Sequence, residues 1–267
     1  MRSFRGRGSA VSTIIAITTD FGTRDGYVGA MKGRILSICN DVVLVDLSHE
    51  IAAQDISGAA WCIARAAPNF PRGTIHLVVV DPEVGSGRRG IVFRAGGQIF
   101  VGPDNGVFDR LLDRYQPEDV RAIRSTTPWW STHSTFDGLA LFAPVAAHLA
   151  RGLAPSKIGT RTTIEPRLTQ IPALRERDRI VGRIEIFDRF GNGITTIPSA
   201  LIDPEMVARC RGACFPIADH YAAVEEGEPL ALIDSDDRLE LAVRNGSARA
   251  AFGLERGDEV DVEPADR

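Results

Sequence analysis

Short, mostly apolar runs alternate with stretches of helical spacing in the first half of the chain. Residues 14–19 run up to a Thr18-Thr19-Asp20-Phe21-Gly22 segment, and Tyr27, Met31 and Ile35 then recur every fourth position. A second apolar run, 42–47, stops at Ser48-His49-Glu50, and Ile56, Ala60, Ile63 and Ala67 repeat at helical spacing before Pro68. A third, 75–80, stops at Asp81-Pro82. Strands that are apolar throughout are buried on both faces, and strands separated by helices pair in parallel. The pattern predicts an α/β unit whose largely parallel sheet lies between helices.

Residues 91–94 and 98–101 flank Ala95-Gly96-Gly97 and predict a hairpin. A short helix is expected over 106–112 and a longer one over 139–149. The stretch 152–179 carries three prolines and many charges with no clear period, and reads as a connection. Beyond it the period changes. Residues 180–187, 230–233, 239–243 and 259–262 are short strand patterns between Gly, Asp and Asn turns, which predicts a small antiparallel, barrel-like β unit. The expected division is a disordered tail (1–12), an α/β domain (13–155), a linker (156–178) and a β domain (179–267).

Composition narrows the classes of function. The chain has 267 residues, 44% hydrophobic and 25% charged, enough to bury a sizeable core in one or two domains. A formal net charge of −4 argues against a nucleic-acid partner. No apolar run approaches the roughly 18 residues of a membrane span, and no apolar stretch follows Arg2, Arg5 and Arg7 as in a signal peptide. A cytoplasmic protein without membrane contact is expected. Four cysteines are too few for a disulfide framework, and Cys210, Cys214 and His220 fall short of a zinc set.

Polar residues collect where strands end. In an open parallel sheet, ligands bind beyond the carboxyl ends of the strands. Asp20, the segment 46–50 and Asp81 all follow such ends. A single Asp there more often caps a helix or fixes a turn, but three along one edge point to a site. A carboxylate at 20 suits the chelation of two neighbouring hydroxyls, as on a ribose. The P-loop glycine pattern is absent. Asp81 and Arg88, seven residues apart, suit a small polar group such as a water or an anion. In the second half, Asp188 and Asn192 flank a glycine turn and suit an α-amino group. The turns 234–237 and 244–247 bracket one strand and read either as plain turns or as ligand contacts.

Seven segments together resemble the family of S-adenosylmethionine hydrolases, or hydroxide adenosyltransferases, which includes fluorinase and chlorinase. They are Thr19-Asp20-Phe21-Gly22, Asp46-Leu47-Ser48-His49-Glu50-Ile51, residues 79–86 around Asp81-Pro82, Gly102-Pro103-Asp104-Asn105-Gly106, Ser134-Thr135-Phe136, Asp188-Arg189-Phe190-Gly191-Asn192 and Leu239-Glu240-Leu241-Ala242-Val243. The resemblance implies an α/β domain followed by a β-barrel-like domain. It also implies a homotrimer, with each site between one subunit's N-terminal domain and the next subunit's C-terminal domain. S-adenosylmethionine is then the substrate, with no cofactor and no metal. By position, Asp20 would hold the ribose hydroxyls. Asp188, Asn192 and Ser235 would hold the amino and carboxylate groups of the methionine. Phe190 would lie against the adenine, and the main chain near Asn245 and Gly246 would read its edge. Gln54, Phe136 and Gly138 would line the substrate site. Asp81 and Arg88 match the hydrolase branch of the family, whereas halogenating members carry Tyr in place of the Asp.

The family usually follows Thr-Phe with His-Gly-Arg-Asp. Here Asp137-Gly138-Leu139-Ala140 stands instead, so Asp137 replaces the histidine of an Asp–Arg–His set, and His133 lies four residues earlier. The expected catalytic residues are Asp81, Arg88 and Asp137. Three other readings are a non-catalytic S-adenosylmethionine binder, a halide-using member, and a metal hydrolase built on Asp20, Asp46, His49 and Asp81.

Overall fold

The computed structural model describes residues 12–124, 127–131, 135–169 and 171–265. The expected tail, apart from Ser12, and His133 lie outside the described residues. The chain divides into two compact units, one through Leu168 and one from Thr169.

The first unit holds a seven-stranded sheet in the order β2-β1-β3-β5-β4-β6-β7. Its strands are β1 (Thr13–Thr19), β2 (Val42–Ser48), β3 (Ile75–Val79), β4 (Gly90–Ala95), β5 (Gln98–Pro103), β6 (Glu118–Ile123) and β7 (Gly159–Arg161). The pairs β1–β2, β1–β3 and β3–β5 are parallel. The expected hairpin β4–β5 and the added strands β6 and β7 pair antiparallel. The helices are α1 (Tyr27–Ile38), α2 (Ile56–Ala66), α3 (Asp109–Leu112), α4 (Ala143–Ala150) and α5 (Pro155–Ile158).

Because successive side chains on a strand point to opposite faces, β3 feeds two cores. Leu77 and Val79 join Ile15, Ile17, Met31, Ile35 and Phe142 on the face covered by α1 and α4. Val78 and Val80 join Ile63, Phe93, Phe100 and Phe108 on the face covered by α2 and α3. Each fully buried Leu, Ile or Phe stabilises by about 1.5–3 kcal/mol, which fixes the register of the strands and hence of their tips. Asp55 caps α2, accepting from Gly58 N–H at 2.9 Å. A Cβ at position 58 would come to 2.5 Å from Asp55 Oδ2, so that cap needs glycine at 58.

The stretch 156–178 is partly built into the two units. Residues 155–158 are helical, β7 pairs with β6, and β8 (Leu174–Glu176) pairs with β9 (Arg179–Phe187). Thr160, Arg161 and all of β8 are exposed, so these short edge strands carry no apolar alternation to mark them.

The second unit continues with β10 (Gly193–Pro198), β11 (Met206–Cys210), β12 (Ala213–Pro216), β13 (Pro229–Ile233), β14 (Arg238–Val243), a short helix α6 (Ala248–Phe252) and β15 (Glu259–Pro264). The path β12-β11-β15-β9-β10-β14-β13 is antiparallel throughout. Its two ends meet where Ala218 N–H donates to Ala231 O at 2.8 Å beside an Ile217–Ala231 bridge, so the sheet is a nearly closed barrel. Ile184, Ile197, Phe215, Leu239, Leu241, Val260 and Val262 fill its interior.

Candidate active site

The parallel strands bring Asp20, Ser48-His49, Asp81 and Asp104 to one edge of the first sheet. Beyond β3, Asp81 and Arg88 close a loop. Arg88 Nε donates to Asp81 Oδ2 at 2.8 Å, and Arg88 Nη2 donates to the same oxygen. Nη2 also donates to Asp137 Oδ2 at 2.5 Å, across 49 positions of sequence. The three side chains are only 4–6% exposed. The guanidinium carbon lies 5.3 Å from the centre of the Phe142 ring, a cation–π contact that fixes its plane. The sequence points to Asp81, Arg88 and Asp137 as one set, and the structure brings both carboxylates to the Arg88 guanidinium.

Burial would lower the pKa of Arg88, but the hydrogen bonds and charges of Asp81 and Asp137 outweigh it and hold the guanidinium above its ordinary value. For Asp137, burial is the largest effect and pushes the carboxyl up. Arg88 pulls it down, the charge of Asp81 pushes it up, and the net is a raised pKa. Two carboxylates at one cation cannot both be fully compensated. Asp137 Oδ1 is buried and makes no hydrogen bond among the described residues. Asp81 Oδ1, in contrast, accepts from Glu83 N–H at 3.2 Å.

Asp81 and Asp137 line a cavity of about 70 Å³ together with Phe21, Val79, Val84, Thr135, Phe136 and Gly138. That is room for a few waters, far below the roughly 300–1,000 Å³ of drug-sized ligand sites. Phe136 packs edge-on against Phe21 at 5.4 Å and Tyr27 at 5.1 Å between ring centres. Gly138 opens a five-residue π-helical turn ahead of α4, and a Cβ there would sit 2.8 Å from the Phe136 ring. Single π turns inside helices often mark sites.

Asp20 Oδ2 accepts from Gln54 N–H at 2.8 Å. Gln54 has φ 66°, so its main chain, bent into the left-handed region, is what meets the carboxylate. His49 is a residue that the catalytic set omitted. Its Nδ1 is 2.8 Å from Thr19 Oγ1, and its carbonyl accepts from Gly22 N–H at 2.8 Å. These bonds hold the loop after β1 to the end of β2. Asp46 is taken up by Lys32 at 2.6 Å, and Asp81 by Arg88. Among the described residues no three His, Cys, Asp or Glu side chains gather as a metal site.

In the second unit, the β9–β10 turn folds over Asp188. Its Oδ1 accepts from the N–H groups of Phe190 and Asn192, both at 2.9 Å, and its Oδ2 from Asn192 Nδ2 at 3.1 Å. Gly191 has φ 84°, and a Cβ there would sit 2.0 Å from Ser247 Oγ. Gly191 O accepts from Arg249 N–H at 2.9 Å, so the turn bearing Asn245 (φ 55°) and Gly246 lies beside the turn bearing Phe190. Phe190 is 72% exposed. Ser235 stands apart in register. Gly193 pairs with Leu241 and Pro198 with Arg238, so Ser235, just before Arg238, lies toward the other end of β14. Two residues that the sequence reading left out complete this group, Tyr221 and Glu240, whose side chains share a 2.5 Å hydrogen bond.

An α/β unit with carboxylates at the tips of its parallel strands, followed by an antiparallel barrel, is the build of a small-molecule enzyme. The chain belongs to the SAM hydroxide adenosyltransferase family: residues 15–159 match the family's N-terminal domain and residues 182–261 its C-terminal domain. It is 38% identical to an (R)-S-adenosyl-L-methionine hydrolase of Thermus thermophilus, over 90% of this chain and 95% of that one. It is 25% identical to a fluorinase of Actinopolyspora mzabensis, over 93% and 96% of the two chains. A crystal structure of an uncharacterized conserved protein from Thermotoga maritima superposes with a TM-score of 0.85 at 33% identity, covering 93% of this chain and 99% of that one.

Proposed function

We propose that the chain hydrolyses S-adenosyl-L-methionine to adenosine and L-methionine, by attack of water or hydroxide at the ribose C5′ carbon. The observation that carries this reading is the pair Asp81 and Asp137 on the wall of a small cavity, bridged behind it by the buried Arg88. A chain 38% identical to a named (R)-S-adenosyl-L-methionine hydrolase supports the substrate.

The sulfonium already makes methionine a good leaving group, so the protein's task is the nucleophile. Bulk water, with a pKa of about 15.7, attacks poorly unaided. Both oxygens of Asp81 are engaged, whereas Asp137 has an oxygen without a hydrogen bond among the described residues. Asp137 is therefore the proton acceptor, Asp81 holds Arg88, and Arg88 stabilises the hydroxide character that develops on the water. A carboxyl with a raised pKa is the better base near neutral pH. As the C5′–O bond forms, the C5′–S bond breaks and its electron pair stays on sulfur as a neutral thioether. The water's proton passes to Asp137 and then to solvent. Holding the water in line behind C5′ supplies several kcal/mol more.

Asp20 takes the ribose hydroxyls. Asp188 and Asn192 take an amino group of the substrate, and Ser235, toward the other end of β14, takes a more distant part of it. Phe190 and the main chain at Asn245 and Gly246 take the adenine. Gln54, Phe136 and Gly138 shape the wall. The substrate is the sole ligand of this reading, without cofactor or metal. The two groups of residues belong to different units, and the assembly proposed from the family resemblance is a homotrimer whose sites join one subunit's first unit to the next subunit's second. Sedimentation velocity tests that assembly. Four cysteines without a disulfide suit a reducing, cytoplasmic setting. No helix among the described residues is long and apolar enough to cross a membrane.

The deciding experiment is incubation of purified protein with S-adenosyl-L-methionine, with and without excess chloride, and mass detection of products. Adenosine and methionine are expected, with no 5′-chloro product, because two carboxylates in the cavity repel chloride. Unchanged substrate alongside calorimetric binding selects the non-catalytic binder, the reading that the Asp137 replacement favours.

A further inference from the structure

Glu240 is 5% exposed in the middle of the apolar strand β14. A carboxylate buried in a strand is costly unless hydrogen-bonded, so its partners carry information. One is the hydroxyl of Tyr221, which donates to Glu240 Oε1 at 2.5 Å. Burial pushes the Tyr221 pKa up, and the hydrogen bond and charge of Glu240 push it further, so the phenol keeps its proton and points it at Glu240. A tyrosine whose proton is committed can only accept from other neighbours.

The neighbour is Asn192, 4% exposed. Its Nδ2 lies 3.4 Å from the Tyr221 oxygen and 3.1 Å from Asp188 Oδ2. Both of those atoms are acceptors. The two ends of an asparagine amide are otherwise hard to tell apart, but here only the NH₂ end fits. The carbonyl end then faces elsewhere and makes no hydrogen bond among the described residues.

We propose that Glu240 and Tyr221 are positioning residues that lock the Asn192 amide so that its Oδ1 is presented to an N–H donor of the ligand. The inference rests on S-adenosyl-L-methionine as ligand, which offers two such donors, the α-ammonium and the purine 6-amino group. The relay makes the second unit select for an amino-bearing ligand at one of these places. A glutamine at 240 offers an NH₂ as well as a carbonyl, which frees the tyrosine proton for Asn192 and lets the amide flip.

The test uses the full chain and calorimetric binding of three probes: S-adenosyl-L-methionine, its hypoxanthine (6-oxo) analogue and its analogue lacking the α-amino group. Glu240→Gln and Tyr221→Phe are expected to weaken binding of the first by about tenfold, the worth of one well-placed hydrogen bond. Preference over one analogue should shrink by the same factor, and that analogue names the donor. A purely structural role would lower melting temperature and leave both preferences intact, and that result overturns the proposal. Should either variant fail to fold, the unmodified protein still decides. Its Asn192 side-chain NH₂, identified in nitrogen-15 spectra against Asn192→Ala, should exchange slowly with solvent, and fast exchange overturns the locked amide. Wild-type protein that binds no S-adenosyl-L-methionine would instead remove the functional reading on which the inference stands.

Discussion

Asp81 and Asp137 accept hydrogen bonds from the same nitrogen, Nη2 of Arg88. One guanidinium thus compensates two buried carboxyls, and the two are unequal. Asp81 has a second bond from Arg88 Nε and one from Glu83 N–H, while Asp137 has one from Nη2. On the proposed mechanism this inequality divides the roles: the firmly held group anchors, and the loosely held one exchanges a proton.

Asp137→Asn keeps the shape and removes the base. Turnover should fall by about 10²–10⁴-fold, the usual worth of general base catalysis, with binding of S-adenosyl-L-methionine little changed. In the wild type, kcat should rise with pH through a limb above the ordinary Asp value of 3.8, because burial holds the Asp137 pKa up. Asp137→His restores a base of the type usual in the family, and its limb should move to about 6.5, where imidazole titrates. A pH profile that is the same in all three proteins would take the proton away from position 137.

Asp81→Asn acts on Asp137 as well as on Arg88. The charge of Asp81 raises the Asp137 pKa, so its loss leaves Arg88 to lower it. The limb should shift to lower pH, and kcat should drop about 10²-fold or more as the base weakens and Arg88 loses its anchor. Substrate affinity, read by calorimetry, should stay within about twofold. Full turnover in this variant would show that Asp81 neither orients nor anchors.

Much of this site was legible in the sequence because strand tips are marked by a change of pattern. Runs ending at Asp20, Ser48 and Asp81 need only the parallel-sheet rule to come together. The second unit was harder. β11 and β12 carry a weak pattern, because half-buried or exposed positions, Arg209 and Cys214 among them, leave three buried residues in β11 and only Phe215 in β12. Glu240 did carry a signal, a charge inside Leu239–Val243, but only the fold shows that its partner Tyr221, 19 residues earlier, reaches it. His49 was visible at the end of β2 as a polar residue. Its hold on the Thr19 hydroxyl needed the β1–β2 register.

Gly191→Ala tests the turn that presents Phe190 and Asn192. The new methyl would meet Ser247 Oγ, the atom that accepts from Ala250 N–H to cap α6, at a left-handed φ of 84°. Strain plus a lost cap should cost about 2–3 kcal/mol in denaturant unfolding. Ser247→Ala alone should cost about 1 kcal/mol. The double variant should cost less than the sum, because removing the hydroxyl makes room for the methyl. Strict additivity would place the cost of Gly191→Ala in the backbone alone.

His76 gives the fold an acid-sensitive point away from the site. The ring is wholly buried on β3, stacked 4.9 Å from Phe100 and edge-on to Phe70. Neither nitrogen makes a hydrogen bond of normal geometry among the described residues. Burial lowers its pKa to about 4, and the nearby Gln98 amide offsets only part of that. An unfolded histidine titrates near 6.5. Between these values the unfolded chain binds a proton that the native protein refuses, so stability is full above pH 6.5 and is lost as pH falls toward 4. The loss amounts to roughly 3 kcal/mol at 1.36 kcal/mol per pKa unit, and nothing further comes from this group below pH 4. His76→Leu removes the titration while keeping an apolar side chain of similar size. Its unfolding free energy should therefore change less than the wild type's between pH 7 and pH 4.5. An equal loss in both proteins would mean that acid acts elsewhere, with the carboxylates of the strand tips the next groups to test.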